Sequence, residues 1–174
     1  MRTIISAIAF AIVSLIVLST SANAMSIDTH VDMDRVFYAT TKGTYDRYHN
    51  LSVECPNGAV VHLDKVPHAQ GTQFIMSIYT NKVIKMNDGE RVNLVNGELN
   101  LYSLRHENHG TSVFVGEINS EELQSFILWA MKLKNNKIEK ITVTGDSGHR
   151  TSFTINFENA DLVARCANDI SYRR

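Results

Sequence analysis

Apolar positions recur two residues apart along most of the chain, and three or four apart in two places. Ile141 and Val143, then Phe153, Ile155 and Phe157, alternate with polar residues on either side of Gly145-Asp146-Ser147-Gly148, which predicts two strands joined by a tight turn. Val163, Cys166, Ala167 and Ile170 then fall at i, i+3, i+4 and i+7, one stripe of a helix from about Ala160 with Asn159 as its cap. The other helical stripe is Leu123, Phe126, Ile127 and Ala130, entered through Asn119, Ser120, Glu121 and Glu122. It ends at Lys132 and Lys134 before Asn135-Asn136, with acids and bases placed to suit the helix dipole. Trp129 stands off the centre of the stripe, at a boundary.

Upstream the period is two throughout. A strand is expected from Arg35 to Thr41, another through Leu51, Val53 and Cys55, then the turn Pro56-Asn57-Gly58 and a return over Ala59 to Leu63. Val66 to Gly71 reads as a loop because Pro67 has no ladder donor. Gln73 to Tyr79, Lys82 to Met86, Arg91 to Val95 and Glu98 to Leu104, punctuated by Asn87-Asp88-Gly89 and Asn96-Gly97, read as an antiparallel meander. Arg105 to Gly110 is polar. Thr111 to Val115 is a further strand, with Val113 and Val115 on one face and Phe114 on the other. The pattern specifies an α+β fold: an antiparallel, sandwich-like or curved sheet with two helices packed on it.

The first residues change the picture. Arg2, an apolar run from Ile4 to Leu18, and a small-x-small site at Ala22 and Ala24 make a secretory signal peptide over residues 1–24, leaving 25–174 as one domain that begins with a loose arm, Met25 to Asp34. The run is shorter than the about 20 apolar residues a spanning helix needs, so no membrane span is expected after cleavage. The expected location is periplasmic or secreted. The formal net charge is −1, and the leader removes one more positive charge with Arg2, which argues against a nucleic-acid partner. In an oxidising compartment Cys55 and Cys166 are expected to pair, closing a long loop and stabilising the fold by roughly 4 to 5 kcal/mol.

Candidate chemistry is sparse. Arg105-His106-Glu107-Asn108-His109 has two imidazoles and a carboxylate, but His106 and His109 stand at i and i+3, whereas a zincin helix needs i and i+4 to aim both rings at one ion. Asp146, Ser147 and His149 share one turn without the nucleophile-elbow pattern. No cofactor motif is present. Tyr45, Arg47, Tyr48 and His49 combine the residue types that dominate recognition hot spots, and form the candidate partner-binding loop.

The order of elements, with a leader, a strand ending at Cys55, a strand pair around Asn87-Asp88-Gly89, strand and helix over Val113 to Lys134, and strand, turn, strand and helix over Ile141 to Cys166, resembles the invasion-associated locus B type of exported bacterial protein. That resemblance implies no catalytic residues. The expected function is an exported non-catalytic binding protein of a bacterium or its phage, acting by protein–protein contact on an envelope protein, for example as an inhibitor or immunity protein of a cell-wall enzyme. The alternative is a small hydrolase or metal-dependent enzyme using the His106, His109 and His149 region.

Overall fold

The computed structural model describes residues 33–69, 71–106 and 111–172. The expected leader, cleavage site and arm as far as residue 32 lie outside them. Contacts divide the chain into two units, Met1–Arg35 and Val36–Arg174, and the whole sheet belongs to the second. Residues 33–40 are helical (α1), where the alternation predicts a strand. Phe37 and Thr41 are buried at i and i+4, the Thr41 amide donates to the Phe37 carbonyl at 2.8 Å, and the Thr40 hydroxyl donates to the Val36 carbonyl at 2.6 Å. Burial of one helical face overrides the strand preference of Val36, Tyr38 and Thr40.

Nine strands follow: β1 Lys42–Asp46, β2 Asn50–Glu54, β3 Val60–His68, β4 Gly71–Tyr79, β5 Arg91–Leu94, β6 Leu99–His106, β7 Thr111–Ile118, β8 Glu139–Gly145 and β9 Arg150–Ile155. The helices α2 (Ser120–Lys132) and α3 (Ala160–Ser171) complete the unit. The strands form one antiparallel sheet in the order β1-β2-β3-β4-β7-β6-β5-β8-β9, curved but not closed, with the helices packed on it. The α+β fold expected from the sequence is therefore the one observed.

Both helices begin as their sequences dictate. The Asn119 side chain accepts from the amides of Glu121 and Glu122 at 2.9 Å while Glu122 reaches back to the Asn119 amide at 3.0 Å, a complete capping box. Leu123, Phe126, Ile127 and Ala130 are the buried residues of α2, the expected stripe without exception. Trp129 is half-buried, its ring 5.8 Å from Phe126 and 6.1 Å from Phe157. In α3, capped by Asn159 on the Leu162 amide, Val163, Cys166, Ala167 and Ile170 are all buried.

Two expectations fail for topological reasons. Gln73 to Leu104 is not a simple meander, because β4 takes β7 as its second neighbour, Tyr79 opposite Val113. Lys82 to Met86 is consequently left without a strand edge and joins no ladder. The Ser112 hydroxyl holds it instead, accepting from the Ile84 amide at 2.8 Å and donating to the Ile84 carbonyl at 3.2 Å. Pro67, expected in a loop, belongs to β3 opposite Thr72. Pairing with β2 ends at Asp64, so Pro67 sits where β3 has β4 alone as a strand neighbour and an absent donor costs little.

The inner face of the curved sheet carries the core. Val61, Leu63, Met76, Ile78, Leu101, Phe114 and Phe153 are almost wholly buried, and the Phe114 and Phe153 rings stack with centroids 5.8 Å apart. Each such side chain contributes about 1.5–3 kcal/mol on transfer from water. Both terminal strands carry a plug on a main-chain acceptor. The Tyr38 hydroxyl donates to the Tyr45 carbonyl of β1 at 3.0 Å, and Asn57 Nδ2 donates to the Thr154 carbonyl of β9 at 2.9 Å.

Candidate binding surface

Strands alternate their side chains between faces, so the outward row can be read from the register. Leu104, Val113, Tyr79 and Val60 stand side by side on β6, β7, β4 and β3. The next outward row is Tyr102, Val115, Ser77 and His62, and the one after it places Glu117, Ile75 and Asp64 together. On the outer strands these rows are polar, with Ser52 and Thr44 continuing the row of His62. On β4, β7 and β6 apolar side chains join them beside Ser77 and Glu117. Tyr79 is 38%, Leu104 42% and Tyr102 51% exposed, and Val115 and Ile75 are half-buried. Five apolar or aromatic side chains thus share an outward face that would ordinarily be polar.

This strip runs up to a cleft of about 920 Å³ at the end of the sheet where Val83, Met86 and Leu104 meet Ser147 and His149. Its wall is tied by Glu90. One carboxylate oxygen accepts from both the hydroxyl and the amide of Ser147, the amide at 2.9 Å, and the other accepts from the Asn87 amide at 3.3 Å. The Ser147 hydroxyl first, then its amide, hold the Glu90 carboxyl below its usual range. The carboxylate end of Glu90 occupies the space in which a β-carbon on Gly145 would stand, so a larger residue there would make that side chain give way. The polar groups of this wall therefore serve one another.

The residues singled out in the sequence are scattered. Tyr45 is buried and donates to Asp169 Oδ2 at 2.7 Å, so it joins β1 to α3 and is not offered to a partner, a correction to the expected loop site. Its register opposite Leu51 turns it to the inner face. The neighbouring turn residues remain outside: the Arg47 guanidinium lies 4.7 Å from the centroid of the exposed Tyr48 ring, and His49 Nδ1 lies 2.7 Å from Asp46 Oδ2. That His49 contact, with the Tyr48 amide, holds the Asp46 carboxyl below its ordinary value.

The His106 side chain, Glu107 and His109 lie outside the described residues, and among those described no three metal-binding side chains gather. His149 stands exposed on the cleft wall. Cys55 and Cys166 are both buried, lie apart and are not joined here. Burial pushes the Cys55 thiol up to about 12. No helix among the described residues is long and apolar enough to cross a membrane.

The outward strip was not singled out in the sequence. Its signal was present in Thr111 to Val115, where Val113 and Val115 alternate with Phe114 so that neither face of the strand is polar. Compared with known proteins, the chain matches no family model, no curated protein and no solved structure.

Proposed function

We propose that the chain is an exported binding protein that works by protein–protein contact, with the outward strip of β4, β7 and β6 as its contact surface. The observation that carries this reading is the group of Tyr79 on β4 and Leu104 and Tyr102 on β6, large side chains left more than a third exposed on either side of β7. Contiguous apolar surface of this kind marks interaction sites, and tyrosine is enriched among residues that dominate them. The self-satisfied polar wall of the cleft adds support, because the Ser147 hydroxyl is engaged by a carboxylate held below its usual range, which is a poor proton acceptor at neutral pH.

An inhibitor or immunity protein of a cell-wall enzyme is the concrete form we favour. Tagged protein retained on a column is exposed to an envelope extract, with Tyr102→Ala/Leu104→Ser as the control. Retention of one envelope protein by the parent and its loss in the variant supports the reading. Equal retention by both removes the strip from it. The hydrolase alternative keeps one observation, the neighbourhood of His149 and Ser147 on the cleft wall, and predicts an ester- or amide-cleaving activity abolished by His149→Ala.

A further inference from the structure

The thirteen residues from Leu128 to Lys140 join the last turns of α2 to the start of β8, and they carry four lysines against one acid on a chain whose formal net charge is −1. From Met131 to Lys140 every residue but Leu133 and Glu139 is exposed, with Met131 at 58% and Ile138 at 61%. The helix dipole accounts for Lys132, the base in the last turn of α2, but not for Lys134, Lys137 and Lys140, which lie beyond the helix end. Lys137 meets Glu139 at 2.7 Å, whereas Lys132, Lys134 and Lys140 make no ion pair among the described residues.

The segment has a fixed shape. The Lys137 amide donates to the Lys134 carbonyl at 3.1 Å, closing a turn whose third residue, Asn136, takes a φ of 56°, a conformation asparagine tolerates. The Asn136 amide donates to the Phe157 carbonyl at 2.7 Å and Asn135 Oδ1 accepts from the Ala160 amide at 2.9 Å, so the turn is fastened to the entry of α3. Such a turn brings the Cα atoms of its first and last residues within about 7 Å, which makes Lys134 and Lys137 neighbours. Apolar side chains stand among these cations. Leu128, 47% exposed, and Met131 share the face of α2 that carries Lys132, at i, i+3 and i+4, and Ile138 falls two positions before Lys140 on the outward alternation of β8.

We infer that this end of the molecule rests on an anionic lipid surface, with the lysines level with the phosphates and Leu128, Met131 and Ile138 entering the headgroup layer. Charge complementarity selects the partner, because like charges gathered on one turn repel one another until an opposite surface meets them. The exposed apolar side chains between them favour a membrane interface over a purely acidic chain, since lysine stems lie along apolar surface while their ammonium heads stay in water. The inference is independent of the outward strip and uses none of its residues.

Flotation of the full chain with phosphatidylglycerol vesicles and with phosphatidylcholine vesicles tests this. Binding to the anionic vesicles is expected to exceed binding to the neutral ones about tenfold or more, and to fall about tenfold in Lys134→Glu/Lys140→Glu. Lys82→Glu/Lys85→Glu makes the same charge change elsewhere, with Lys85 on the cleft it shares with Ser147 past the far end of β8, and should bind like the parent. The apolar residues 4–18 are common to every chain and cancel in the comparison. Trp129, the single tryptophan, reports from within the segment: nitroxide-labelled headgroups should quench it in the parent and less in Lys134→Glu/Lys140→Glu. Unchanged thermal unfolding verifies that both variants fold. Equal binding to the two kinds of vesicle, or equal loss in the two double variants, overturns the inference. So does binding to polyglutamate as tight as to the anionic vesicles with no quenching of Trp129, which would make the segment a site for acidic chains.

Discussion

The two faces of β4, β7 and β6 differ in what their apolar residues do. On the inner face Met76, Ile78, Leu101 and Phe114 are sealed from water, and their burial holds the sheet and the helices together. Tyr79, Tyr102 and Leu104 stand on the outer face of the same strands and keep a third to a half of their surface in solvent. Identical local structure thus supports two chemistries, and burial separates them where hydrophobicity does not. An inward side chain is expected to govern whether the chain folds, and an outward one whether the folded chain meets anything.

Phe114→Ala breaks the inner face most severely. It removes a fully buried ring stacked on Phe153, and chemical denaturation should show about 3–5 kcal/mol lost. Cys55 gives the inner side a pH signature. The buried thiol keeps its proton up to about 12 against an ordinary 9.0, so between those values the native chain holds more protons than the unfolded one and stability falls as pH rises. Denaturation followed across that range reads the slope, and a chain oxidised between Cys55 and Cys166 would lack this contribution.

Tyr45→Phe deletes the hydroxyl that reaches Asp169 from within the core and should cost about 1.5–3 kcal/mol by the same measurement. Asn119→Ala removes the α2 cap for about 1 kcal/mol. Leu104→Ser is the smallest of the series, within about 0.5 kcal/mol of the parent. If it instead destabilised the chain as Phe114→Ala does, the distinction between the faces would collapse.

The elements were legible wherever a single period ruled. The stripes of α2 and α3, their Asn119 and Asn159 caps and the β8–β9 hairpin followed from spacing alone, because each carries one unbroken apolar face whatever it is buried against. Legibility failed where partners are distant. Nothing local says that β4 pairs with β7, and that choice strands Lys82 to Met86 outside the sheet. Phe37 likewise looks like a strand residue until a helical face is needed to bury it. Tyr45 and Tyr102 are the same residue type in similar strands, and only the register turns one inward and the other to water.

The plugs on β1 and β9 have a consequence for life at high concentration. An open sheet has two ends, and a copy that added its first strand to another's last would repeat that step without limit and grow a fibre. With Tyr38 and Asn57 each engaging a terminal carbonyl, end-to-end addition must first displace a hydrogen bond already made. Growth along the sheet is thereby penalised at both of its ends, and a crowded solution of the folded chain is expected to resist extending into filaments.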